Sequence, residues 1–74
     1  MTKVRDRKLI IAFGKRVKVL RTENGLSQEQ LANDADIPIN QIGRIERGEI
    51  NPTLSTLCSI ANALKIPLFE LLKF

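Results

Sequence analysis

Ile10, Phe13, Val17 and Leu20 recur at spacings of three and four, the stripe of an amphipathic helix whose other faces carry Lys15, Arg16, Lys18 and Arg21. The pattern predicts a first helix from about Lys8 to Asn24, ended by Asn24-Gly25, residues that tolerate the left-handed conformation common at helix ends. After apolar Leu26, Ser27-Gln28-Glu29-Gln30 has the form of a capping box. The Ser27 hydroxyl can accept from the Gln30 N–H while the Gln30 side chain reaches back. A second helix starts there, turns Leu31 and Ala32 inward, and stops after about two turns at Asn33-Asp34-Ala35-Asp36. Proline is comfortable in a first helical turn, so a third helix opens at Ile37 or Pro38, packs Ile42 and Ile45 inward and stops at Gly48. Glu49 to Pro52 form a loop. Thr53 caps a fourth helix with Leu54, Leu57, Ile60, Ala61 and Leu64 as its apolar face. Ile66-Pro67 breaks it, and Leu68 to Lys73 make a short last helix. No strand-length alternation and no repeat interrupts this order, which predicts an all-α domain of five helices over residues 8–74. Residues 1–7 precede it as a basic arm, either disordered or reaching along phosphates or into a minor groove.

Charge sharpens the picture by its placement. Residues 1–21 hold eight of the twelve Lys and Arg against one acid, whereas the remainder carries four against seven acids. A basic entry segment on a mildly acidic body fits attraction to a polyanion from one side, although charge alone does not separate DNA, RNA and an acidic membrane. With one cysteine and no histidine, a disulfide framework within the chain and a Cys/His metal cage are both excluded. Cys58, among Leu57, Ile60 and Ala61, is expected to be a buried small apolar residue. The longest apolar stretch, Leu9 to Phe13, is far shorter than the ~20 residues a bilayer span needs, and no secretory signal is evident. A cytoplasmic protein without membrane association is expected. The absence of histidine, of a nucleophile beside a base and of a glycine-rich phosphate loop argues against an enzyme.

The third helix carries the candidate chemistry. Counting 100° per residue, Asn40, Arg44 and Arg47 all fall within about 40° of the direction opposite Ile42. Amide and guanidinium groups one turn apart can reach base edges and phosphates from within a major groove: Arg44 suits a guanine edge and Asn40 an adenine. Gly43 trims one flank of this stripe. Gln41, on the other flank, can meet a base or a phosphate, and Gln28 at the start of the second helix can bind a phosphate. Arg47 suits a phosphate or simply complements the helix dipole. Ile39 can touch a thymine methyl or pack at the edge of the core.

Phe13 to Arg21, Gly25-Leu-Ser-Gln-Glu-Gln-Leu-Ala32, Ile42-Gly-Arg-Ile-Glu-Arg-Gly48, Asn51-Pro-Thr53 and Leu54 to Leu72 together resemble the phage-repressor, or xenobiotic-response-element, type of helix-turn-helix family. The likeness spans roughly residues 10–72. It implies a five-helix, lambda-repressor-like DNA-binding domain acting as a transcriptional regulator, usually a homodimer on a twofold-related operator of double-stranded DNA. The family's base-reading places fall on Ile39, Asn40 and Arg44, and its phosphate-clamping places on Gln28, Arg47 and the loop around Asn51. An ion pair of Arg21 with Glu46 is implied as well, although by position Glu46 can also pair locally with Arg44 or Arg47. Asp36 stands where the family often has glycine, so a reshaped turn is expected. Pro38 replaces the usual serine or threonine cap, and Ile39 a frequent polar reader.

Two further expectations concern partners. Leu68, Phe69, Leu71, Leu72 and Phe74 crowd the C-terminus, more apolar surface than so short a helix can turn inward. Leu68 or Phe69 with Leu72 can form a self-complementary patch that sets two third helices ~34 Å apart, or the segment closes the core as a lid. The competing function is a protein-interaction module on the same frame, such as the antitoxin of a toxin pair, with DNA binding secondary; Ile39 and Glu49 leave room for it.

Overall fold

In the computed structural model, which describes residues 3–74 and side chains from Arg7 onward, the five expected helices form in the expected order. They are α1 (Lys3–Glu23), α2 (Gln28–Ala35), α3 (Ile39–Glu46), α4 (Leu54–Ala63) and α5 (Leu68–Leu71), with no strand among the described residues. Helix α1 starts five residues earlier than the apolar periodicity predicted, so the segment expected as an arm overlaps its first turns. Met1 and Thr2 lie outside the described residues. At the other end α5 is one turn, shorter than Leu68 to Lys73.

The ends of the helices follow local chemistry. At α2 both halves of the capping box are present: Gln30 N–H donates to Ser27 Oγ at 3.0 Å and Ser27 N–H to Gln30 Oε1 at 2.8 Å. Thr53 Oγ1 accepts from Thr56 N–H at 3.2 Å and caps α4. Pro38 lies just outside α3 in extended backbone, φ −59° and ψ 141°, and makes no side-chain cap. Helices α1 to α4 share one ending, in which a left-handed residue is followed by an N–H that reaches back five positions. The left-handed residues are Gly25, Asp36, Gly48 and Lys65. The returning bonds are Leu26 to Arg21 at 3.0 Å, Ile37 to Ala32 at 2.9 Å, Glu49 to Arg44 at 2.9 Å and Ile66 to Ala61 at 3.0 Å. Asp36, with φ 58° and ψ 47°, thus keeps the turn a glycine would make, contrary to the reshaped turn expected from its side chain. Lys65 holds the same conformation with no local side-chain acceptor to favour it, so Lys65→Gly is expected to raise stability by about 0.5–1 kcal/mol in urea denaturation.

The core gathers one stripe from every helix: Phe13, Val17 and Leu20 of α1, Leu31 and Ala32 of α2, Ile42 and Ile45 of α3, Ile60 and Ala61 of α4 with Leu64 at its end, and Leu71 of α5. Helix α3 packs against α1 and α2, α2 also against α4, and α4 against α5. Two residues contradict the predicted packing of α4. Leu54 is 68% exposed and Cys58 is exposed. Cys58 has apolar neighbours in sequence but lies about 100° around the helix from Leu57, away from the inward direction that Ile60, Ala61 and Leu64 define. Leu54, in the first turn, extends past the end of the core.

The C-terminal segment is divided. Leu71 is fully buried and Leu68 packs partly against the core, whereas Phe69 and Leu72 are 68% and 41% exposed. Arg16 ties this segment to α1, its Nη2 donating to the Glu70 carbonyl at 2.8 Å. Leu9, Ile10, Phe13, Pro52, Leu57, Leu72 and Phe74, with Asn51 at the polar side, line an apolar cleft of about 460 Å³. No helix among the described residues is long and apolar enough to cross a membrane.

Candidate nucleic-acid interface

Helix α3 is held by its inner face and free on its outer one. Ile42 and Ile45 are buried, and so is Glu46, which meets Arg21 of α1 in a two-pronged pair. Arg21 Nε donates to Glu46 Oε2 at 2.6 Å and Nη2 to Oε1 at 3.0 Å. The third prong, Nη1, donates to the Leu26 carbonyl at 2.8 Å in the turn before α2. The Arg21 pKa is raised further by the bond to Glu46, so this guanidinium is charged at any pH the domain meets. Of the partners open to Glu46 in the sequence, the fold selects Arg21. A second donor, unforeseen from the sequence, is Gln28: its Nε2 gives a hydrogen bond to Glu46 Oε1 at 2.9 Å. Gln28 is therefore half-buried and anchored, and it fixes the first turn of α2 beside the last turn of α3.

The approach of α3 to α1 is closer than side chains normally permit. A Cβ at Gly14 would strike the Ile45 carbonyl oxygen and sit 2.9 Å from that of Glu46. At Gly48, φ 73°, a Cβ would lie 2.8 Å from Ile11 Cγ1 and 3.0 Å from its Cα. Two glycines thus set the depth at which α3 is seated, one from each partner. In the sequence Gly14 stands one position after Phe13 and three before Val17, on the inward side of the first helix, and that placement is the signal for a close approach.

On the outer face Ile39, Asn40, Arg44 and Arg47 are all exposed, Ile39 at 51%, and Gln41 is half-buried at the flank. The open role of Ile39 is thereby narrowed, since it does not pack at the core edge. Gly43 is buried beside Gln28, and a Cβ there would come within 3.0 Å of Arg47 Nη1, so the Arg47 side chain folds back along α3 over this glycine. Asn51 is exposed but borders the apolar cleft. The stripe is not electrostatically free: Glu49 Oε2 accepts from Arg47 Nε at 2.7 Å, Oε1 from Arg47 Nη2 at 3.3 Å, and Oε1 lies 3.8 Å from Arg44 Nε. Hydrogen bonding to Arg47, then the charges of Arg47 and Arg44, hold the Glu49 carboxyl below the usual range, so it is ionised at neutral pH.

Comparison with known proteins agrees with this architecture. The chain is 45% identical over 56 residues to the immunity repressor protein of Bacillus phage phi105, covering 76% of this chain and 39% of that protein. It is 46% identical over 56 residues to the control protein C.SmaI of Serratia marcescens, covering 76% of this chain and 67% of that one. The crystal structure of the restriction-modification controller protein C.AhdI from Aeromonas hydrophila superposes with a TM-score of 0.82 at 40% identity, over 84% of this chain and 94% of that chain. The chain thus spans about two fifths of the length of the phage repressor. A family model described as helix-turn-helix matches residues 17–71, the stretch in which α2 and α3 are set against α1 and α4, and the chain belongs to that helix-turn-helix family.

Proposed function

We propose that this chain is a sequence-specific, double-stranded-DNA-binding transcriptional regulator, a repressor or autoregulator, that acts in the cytoplasm as a homodimer on a twofold-related operator. One observation carries the reading: Asn40, Arg44 and Arg47 project together from a helix whose opposite side is locked by buried apolar packing and a buried ion pair. A recognition helix must be presented rigidly, because a base contact is specific only when its donors are held in register. Ile39, Asn40, Gln41 and Arg44 are assigned to base edges, and Arg47, Asn51 and the start of α2 at Gln28 to the phosphate backbone. The Gln28 side chain is engaged with Glu46, so its contribution there is the backbone N–H of the first turn of α2. A relative named as an immunity repressor and two named as control and controller proteins support the regulatory role.

The homodimer rests on the exposed Phe69 and Leu72, one turn apart, next to the apolar cleft that Leu72 and Phe74 share with Leu9. Leu68 faces the core more than the partner in this arrangement. Selection of bound sites from a random duplex pool tests both halves of the proposal. The expected product is a palindromic site whose half-sites lie about one helical turn apart; a non-repeating site bound by one copy would remove the dimer, and no enrichment would remove the DNA reading.

Affinity for the selected duplex is expected to fall about tenfold or more over a fewfold rise in salt, because several phosphates are neutralised. Arg44→Ala should relax preference at one base pair, by ~1–3 kcal/mol of discrimination, whereas Arg47→Ala should weaken all sequences alike and lower the salt slope by about one. Titrations against the selected site and single-base variants distinguish the two. Parent-like binding by both variants would mean that a different face contacts DNA.

A further inference from the structure

Glu49 stands out among the groups on the outer face because its charge opposes the use proposed for that face. Its carboxylate is gripped by Arg47 through two nitrogens and approached by Arg44, so the two guanidinium groups already converge on one anion. The backbone fixes this placement. Gly48 turns the chain in the left-handed conformation against Ile11, and the Glu49 N–H donates to the Arg44 carbonyl at 2.9 Å, which brings the carboxylate back beside the end of α3. The helix itself gains nothing from an acid there, since a negative charge at a helix C-terminus opposes the macrodipole. Nor does the pair add much to stability, as all three side chains are about half exposed, and exposed ion pairs contribute little.

We infer that Glu49 occupies, in the free protein, the seat of a DNA backbone phosphate on Arg47, and that a phosphate must displace it for the domain to bind. This inference rests on the DNA-binding reading above. The carboxylate is an internal counter-ion: while it holds Arg47, that guanidinium has fewer mobile anions to release when DNA arrives, and the displaced carboxylate is left close to a phosphate of like charge. Glu49 therefore lowers affinity for every duplex. The ratio between operator and random sequence is unchanged, because the exchange takes place at the backbone and not at a base edge.

The test measures binding of the parent chain, Glu49→Gln, Arg47→Ala and the double variant to the selected duplex and to a random duplex of equal length, across a range of salt. Glu49→Gln is expected to bind both duplexes about threefold to tenfold tighter, with a salt slope steeper by about one and an unchanged thermal midpoint. In the Arg47→Ala background the same substitution should produce less than half that gain. Glu49→Ala, which also removes the hydrogen-bonding capacity, should behave as Glu49→Gln does. If the parent binds DNA but Glu49→Gln binds no tighter, or if the gain persists in full without Arg47, the inference is overturned while the DNA reading stands. If the parent binds neither duplex at low salt, both fall together.

Discussion

Gly14→Ala is expected to destabilise the domain by about 3 kcal/mol or more, through a single added methyl group. The new Cβ would be driven into the Ile45 carbonyl oxygen and within 2.9 Å of that of Glu46, both backbone atoms of the last turn of α3. A flexible side chain could swing aside; these carbonyls cannot. That of Ile45 already accepts the Gly48 N–H at 3.0 Å, and Glu46 is fastened by its side chain to Arg21. Relief requires α1 and α3 to separate, which opens space around Phe13, Val17, Ile42 and Ile45 together. Domains of this length have a total stability of roughly 4–11 kcal/mol, so the variant should melt well below the parent or fail to fold at room temperature. Gly25→Ala is the control: its φ of 69° is strained for alanine, but nothing lies within 4 Å of the added atom, and the cost should be about 1 kcal/mol. Urea denaturation of the two variants decides the matter, and equal losses would mean that the helix crossing is more yielding than its geometry implies.

Glu46→Ala should cost about 3 kcal/mol, by a different physical route. The side chains of Glu46 and Arg21 are only 3% and 11% exposed, and removing the carboxylate leaves a guanidinium inside the fold with the Leu26 carbonyl as its remaining hydrogen-bond partner. Gln28 loses its acceptor at the same time. Most of this loss is the expense of stranding a charge rather than the worth of the pair, because desolvation of both ions offsets much of their attraction. The double variant Arg21→Met, Glu46→Leu should therefore recover most of the stability in urea titrations. Its DNA binding should not recover with it. The paired prongs orient α3 about its own axis, whereas apolar replacements fill the space without fixing that angle. A double variant that is both stable and fully discriminating among operator variants would reduce the pair to packing.

The helices, their order and most of their ends were legible in the sequence because each depends on residues within one or two turns. The Ser27 and Thr53 caps and the stops at Gly25 and Gly48 are exchanges between near neighbours, and the stripe of Phe13, Val17 and Leu20 is a matter of phase. The outward direction of Asn40, Arg44 and Arg47 was equally a matter of phase, fixed once Ile42 was known to point inward. Cys58 shows where such reading fails: apolar neighbours in sequence said less about burial than its angle around α4 did.

What the chain alone determined, then, is everything set by hydrogen bonds and periodicity of short range: five helices, a turn between the second and third, and a polar stripe on the latter. The tertiary structure decided what depends on groups remote in sequence meeting at fixed distances. The seat of α3 against Gly14, the choice of Arg21 over nearer arginines for Glu46 and the recruitment of Gln28 to that pair all belong there. Local patterns constrain direction but not distance, and whether two helices approach to backbone contact or a carboxylate finds one guanidinium before another is settled only when the whole core packs.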